Sequence, residues 1–158
     1  MVIVFPIIPW GFFFQRPQQL ALRLGKRGEL VLYLALTAEA RPETIKLPWS
    51  KNSHTERLAP GVFHYWITTA RSFDIHREEF DEKLLNETVA ELSLMLEATK
   101  TEAPCYLVQH PVWTALVEKV SKLHPGRIVY DCMDEHSGFE ETSPQTLADE
   151  ERLFQLAD

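Results

Sequence analysis

The sequence predicts an α/β fold: one parallel β-sheet with helices on both faces, in a single domain. Three observations lead there. Short apolar runs rich in β-branched and aromatic residues alternate with stretches whose apolar residues recur every three or four positions. Most runs are apolar throughout and do not alternate with polar residues, as expected of strands covered on both faces. The length, 158 residues with 45% hydrophobic content, suits one core and not two.

Residues 2–8 form the first such run and predict a strand, which Pro9, Trp10 and Gly11 end. Arg16-Pro17 opens a helix, with proline where its missing N–H costs nothing. Leu20, Ala21 and Leu24 share its apolar face, and Gly28 supplies the stop. Residues 30–36 are the second strand. Residues 37–61 carry Pro42, Pro48 and Pro60 and show no sustained period; they are long for a loop, and such a loop is usually functional or contains short elements without a clear pattern. Residues 62–68 (VFHYWIT) are the third strand. Residues 74–99 predict a long helix with Phe80, Leu84, Leu85, Val89, Leu92, Met95 and Leu96 on one stripe. Residues 105–109 are a fourth strand, 112–123 a helix, 127–132 a fifth strand and 144–157 a final helix. This is a Rossmann-like succession, for which the sheet order is third, second, first, fourth, fifth strand. The abrupt end at Leu156-Ala157-Asp158, without a turn or polar tail, leads us to expect a longer polypeptide.

Sixteen Lys and Arg against 23 Asp and Glu give a net charge of −7. That balance argues against a nucleic-acid partner, because phosphate backbones are held by clustered Lys and Arg. Cys105 and Cys132 are too few for a disulfide framework and read as small buried hydrophobes in a reducing compartment. There is no run of about 20 apolar residues to span a membrane and no signal-peptide pattern at the N-terminus. The expected location is cytoplasmic, with peripheral contact at the inner face of the membrane left open.

In an open parallel sheet, ligands gather beyond the carboxyl ends of the strands, where the strand order reverses. This rule selects residues 9–16, 110–113 and 133–141. The first, PWGFFFQRP, has one glycine, so no G-x-G-x-x-G pyrophosphate loop or Walker pattern is present. A serine-nucleophile G-x-S-x-G elbow is missing as well. Trp10 and Phe12 to Phe14 offer flat faces for stacking, while Gln15 and Arg16 offer directed donors at a helix start. The alternatives are that these aromatics plug the end of the sheet or form a partner surface. His110 stands at a strand end, able to act as a base or to hold a hydroxyl, or simply to bond neighbouring backbone. Asp131, Asp134, Glu135 and His136 make the densest polar cluster, in which at least one Asp is expected to cap a turn. With no i, i+4 histidine pair and no H-E-x-x-H, we expect no metal.

Taken together, several segments resemble one family. Phe14-Gln15-Arg16-Pro17-Gln18-Gln19-Leu20, followed by Leu24 and Gly28, is similar to the FQRPQ-x-L opening of family 4-like bacterial glycosyltransferases of the GT-B fold. Gln109-His110-Pro111-Val112-Trp113 resembles that group's strand-four end, and Tyr130-Asp131-Cys132-Met133-Asp134 its YDCMD segment, with Phe139 following. Glu150-Glu151-Arg152-Leu153 with Ala157-Asp158 resembles its E-x-x-L…AD helix. The likeness runs from residue 2 to the last residue, although residues 37–60 add little. Glu29 departs from it, standing where related sequences usually have His.

The resemblance implies the acceptor-side, N-terminal half of a two-domain enzyme that moves a sugar from a sugar nucleotide to a hydroxyl of a glycan or lipid precursor. It implies no cofactor beyond the sugar nucleotide as co-substrate, held chiefly by a C-terminal domain of the same polypeptide, so residues 1–158 alone are expected to be nearly inactive. It also implies retention of anomeric configuration without a metal. On this reading His110 and Asp134 are the catalytic candidates. The acceptor and donor would meet Trp10, Gly11, Phe12, Gln15, Arg16, Trp113, Asp131, Glu135 and His136. The rivals are a non-catalytic α/β module that binds a carbohydrate or a protein, and a small hydrolase.

Overall fold

The computed structural model describes residues 1–39, 44–134, 136–139 and 142–158. Its centre is a seven-stranded sheet: β1 (Val2–Phe5), β2 (Val31–Thr37), β3 (Ile45–Lys46), β4 (Ser53–Ala59), β5 (Val62–Thr68), β6 (Cys105–Val108) and β7 (Arg127–Tyr130). The order across the sheet is β3-β4-β5-β2-β1-β6-β7. The five strands from β5 to β7 are parallel, in the order that the expected fold class carries for its five strands. Single-domain Rossmann-like α/β architecture is therefore what this chain adopts.

The helices α1 (Arg16–Lys26), α2 (Glu82–Ala98), α3 (Thr114–Leu123) and α4 (Pro144–Leu156) cover both faces. The α1 residue Ala21 packs with Val2, Val4, Val31 and Tyr33 on one face. On the other, α2, α3 and α4 bury Leu92, Met95, Leu116, Val117 and Leu153 against Ile3, Phe5, Leu34 and Tyr106. Alternate residues of β1 thus serve opposite cores, which explains why that strand is apolar throughout. Gly25 lets α1 lie close to the sheet: a Cβ there would sit 2.6 Å from Val62 Cγ2 and 2.8 Å from the Pro60 carbonyl. The predicted helix stop is sound, since α1 ends at Lys26 and Gly28 follows with φ +92°.

Three sequence expectations are corrected. First, the stretch read as a loop contains β3 and β4, an antiparallel edge added to β5. It is polar and its anchor is non-local. The buried Glu91 carboxylate of α2 accepts from Ser53 Oγ at 2.7 Å, from Asn52 Nδ2 at 3.1 Å and from the Ser50 hydroxyl. Residues 40–43 lie outside the described residues. Second, the helix expected from residue 74 begins at Glu82. Asp81 caps it, its carboxylate accepting the Leu84 N–H at 2.8 Å. Upstream, Asp74 Oδ1 accepts the His76 N–H and Arg71 bridges Glu78 and Asp81, so these residues fold as a braced loop. Third, the cysteines are free but not buried, with Cys105 half-buried and Cys132 exposed.

Candidate functional site

The loops after β1, β5, β6 and β7 all leave the carboxyl edge of the parallel sheet and line a cavity of about 730 Å³, the first through Ile7 alone. His110, Asp134 and His136 line it, as the sequence predicts for a shared site. So does His76, from the braced loop after β5. The ring centroids of His76 and His136 lie 5.3 and 5.1 Å from that of His110, each edge-on. Asp149 of α4 contributes from below, and its backbone carbonyl accepts from the buried Thr114 hydroxyl at 3.0 Å.

His110 is buried at the end of β6, where its Nδ1 accepts the Val112 N–H at 3.2 Å and starts the turn Pro111–Trp113. Burial, reinforced by the charges of His136 and His76, pushes its pKa down to about 3. The ring is therefore neutral near pH 7. With Nδ1 occupied as an acceptor, its one proton sits on Nε2. In this state the imidazole offers a hydrogen-bond donor and no free basic lone pair.

A second tie joins the loops. Asp131, just past β7, accepts Arg16 Nη2 on Oδ1 at 2.5 Å and Gln109 Nε2 on Oδ2 at 3.2 Å. The Asp131 side chain is buried, while Arg16 stays largely exposed and its guanidinium is held protonated by that carboxylate. The residues expected to bind substrate thus include a structural clasp at Asp131, which links the β1 and β7 loops to β6.

The aromatic loop behaves differently. Phe12, Phe13 and Phe14 are 54%, 74% and 60% exposed, so they do not plug the sheet. Their loop is held from beneath by Gln18, a fully buried amide whose Nε2 reaches the carbonyls of Pro9, Trp10 and Phe13 at 3.3–3.4 Å. Its Oε1 accepts the Gln15 N–H at 3.0 Å. Trp10 is half-buried and meets Tyr33 edge-on at 5.1 Å, on the α1 face. Gly11 is exposed, and a side chain there would meet nothing within 4 Å. Gln15 is exposed at the helix start. None of Trp10, Gly11, Phe12 and Gln15 lines the histidine cavity.

Trp113 is a correction. It was expected to offer a stacking face, but it is 2% exposed, donates Nε1–H to the Pro6 carbonyl at 2.9 Å and packs edge-on against Phe5. An indole this enclosed belongs to the core. Glu135 lies outside the described residues. Among the described residues, no group of three or more His, Cys, Asp and Glu is arranged to hold a metal ion, and no helix is long and apolar enough to cross a membrane.

Sequence reasoning missed His76, Gln18 and Asp149. The rule that selected the other loops, to look beyond strand carboxyl ends, would have selected the loop after β5 had it not been read as helix. No family model and no curated protein matches the chain.

Proposed function

We propose that this chain is the acceptor-side domain of a sugar-nucleotide-dependent glycosyltransferase, of the kind its FQRPQ and YDCMD segments resemble. The observation that carries the reading is the meeting of His110, His136 and Asp134 in one cavity at the carboxyl edge of the sheet. Such a cavity suits a polyol. The neutral His110 donates from Nε2 to a sugar or acceptor oxygen, and Asp134 accepts from a hydroxyl or faces positive charge as it develops. Deprotonating the acceptor is not a task for His110, since its other nitrogen is engaged. The partners on this reading are the acceptor, the sugar nucleotide and a C-terminal domain that holds the nucleotide, in a cytoplasmic setting. No cofactor or metal is invoked, and nucleic acid is not a partner.

A carbohydrate-binding module without catalysis is the second reading. It draws support from that same occupied Nδ1, because His110 offers a clear donor but no free basic nitrogen. The test of sugar handling is an NMR titration of the isotope-labelled chain with simple glycosides and with sugar nucleotides. Glycosides are expected to shift the signals of His110, His136 and Asp134, with His110→Phe abolishing the response. Absence of any such shift at tens of millimolar glycoside would remove both carbohydrate readings.

A further inference from the structure

A second opening, of about 410 Å³, lies over the ends of β1, β2 and β5. Its walls are largely hydrocarbon: Ile8 from the loop after β1, Leu36 from β2, Trp66 from β5 and Phe73 from the loop that follows β5. The two rings are set in place, Trp66 by His64 at 4.0 Å between centroids and Phe73 by Phe80 at 4.5 Å. Ile75 and His76 line both this crevice and the histidine cavity. A polar compartment and an apolar one therefore adjoin across a single braced turn. The crevice also runs out past Pro9, which begins the loop carrying the exposed Phe12 to Phe14.

We infer that the apolar crevice binds an aliphatic chain carried by the same ligand whose polar end sits beside His110. The occupant is thus amphipathic, a hydroxyl-bearing head joined to a hydrocarbon tail. This identification of the head rests on the carbohydrate reading above; the assignment of the tail rests on the crevice alone. Branched aliphatic wall and rings that are already engaged suit a methylene chain better than a planar ring, which needs an open aromatic face. Asp74 at the crevice and a net charge of −7 disfavour a negatively charged occupant. Each methylene moved from water into such a wall strengthens binding by about fourfold.

The experiment titrates the labelled chain with methyl β-glucoside, with n-octyl β-glucoside below its micelle concentration, and with 1,2-octanediol. The octyl glucoside is expected to bind at least tenfold more tightly than the methyl glucoside and to shift the Trp66 indole and Leu36 methyl signals. Phe73→Ser, in the loop, should erase that gain and leave methyl glucoside binding unchanged; Ile8→Ser is the second variant should the first not fold. Equal affinity of the two glucosides, with shifts confined to the histidine cavity, overturns the crevice assignment and leaves the carbohydrate reading standing. Octanediol shifting Trp66 and Leu36 while neither glucoside moves His110 upholds the crevice and overturns the carbohydrate reading. Octyl compounds that leave Trp66 and Leu36 unmoved overturn the tail assignment outright.

Discussion

The loop after β1 and the loop after β6 leave the same edge of one sheet, yet they are built in opposite senses. After β1 the polar residue is inside and the apolar ones are outside: Gln18 is fully buried beneath Phe12, Phe13 and Phe14, which face solvent. After β6 the rings turn inward, with Trp113 in the core and His110 buried beside a cavity that His136 of the β7 loop shares, although Phe139 of that loop is exposed. The cause lies in the hydrogen bonds. Three loop carbonyls converge on one amide in the first case, so the side chains between them are directed away from it. In the second, the chain continues directly into the turn before α3, and Trp113 takes the Pro6 carbonyl as its partner. Residue type alone is therefore a poor guide to function on this edge; the position of the backbone ties decides which rings are available.

The largest effect expected from this contrast is at Trp113. Its replacement by Ala removes a buried indole and strands the Pro6 carbonyl, at a cost of about 3–5 kcal/mol. Thermal or denaturant unfolding measures it, and a cost under about 1 kcal/mol would mean that this ring is not core. The next concerns His110 and acid. Its folded pKa of about 3 lies below the ordinary 6.5, so between those values the unfolded chain holds a proton that the folded chain does not. Stability should then fall as pH drops through this window, by up to about 1.4 kcal/mol per unit from this one group. Urea unfolding at pH 7 and pH 5 should show a shallower fall for His110→Asn, and an unchanged slope would assign the proton elsewhere. Smallest of all, Phe13→Ser should alter stability by no more than about 0.5 kcal/mol, since that ring is already in water. A substantial loss there, read by the same melts, would break the contrast between outward and inward loops.

Much of the scaffold was legible before any coordinates. The five parallel strands and the proline start of α1 follow from local patterns, because a strand covered on both faces has to be apolar throughout; the strand order follows from the fold class. The β3–β4 edge was not legible. Its strands are short and polar, and what holds them is Glu91, some 40 residues away in sequence, accepting from Ser50, Asn52 and Ser53. The start of α2 was misplaced for a related reason: Phe80 continues the apolar stripe of the helix, but reaches the core from a loop, against Phe73 and Trp113. In the candidate site, the convergence of His110, Asp134 and His136 followed from the strand order, whereas His76 stayed hidden inside the supposed helix.

By itself, then, the amino-acid order determined the five parallel strands, the rough course of the helices and three of the loops that share the carboxyl edge of the sheet, because periodic apolarity records burial along each segment. Only the tertiary structure decided that Trp113 is core, that Asp131 is a clasp and that His110 is a neutral donor. Each of those states depends on surroundings assembled by the fold: the Pro6 carbonyl for Trp113, Arg16 and Gln109 for Asp131, and burial beside two further imidazoles for His110.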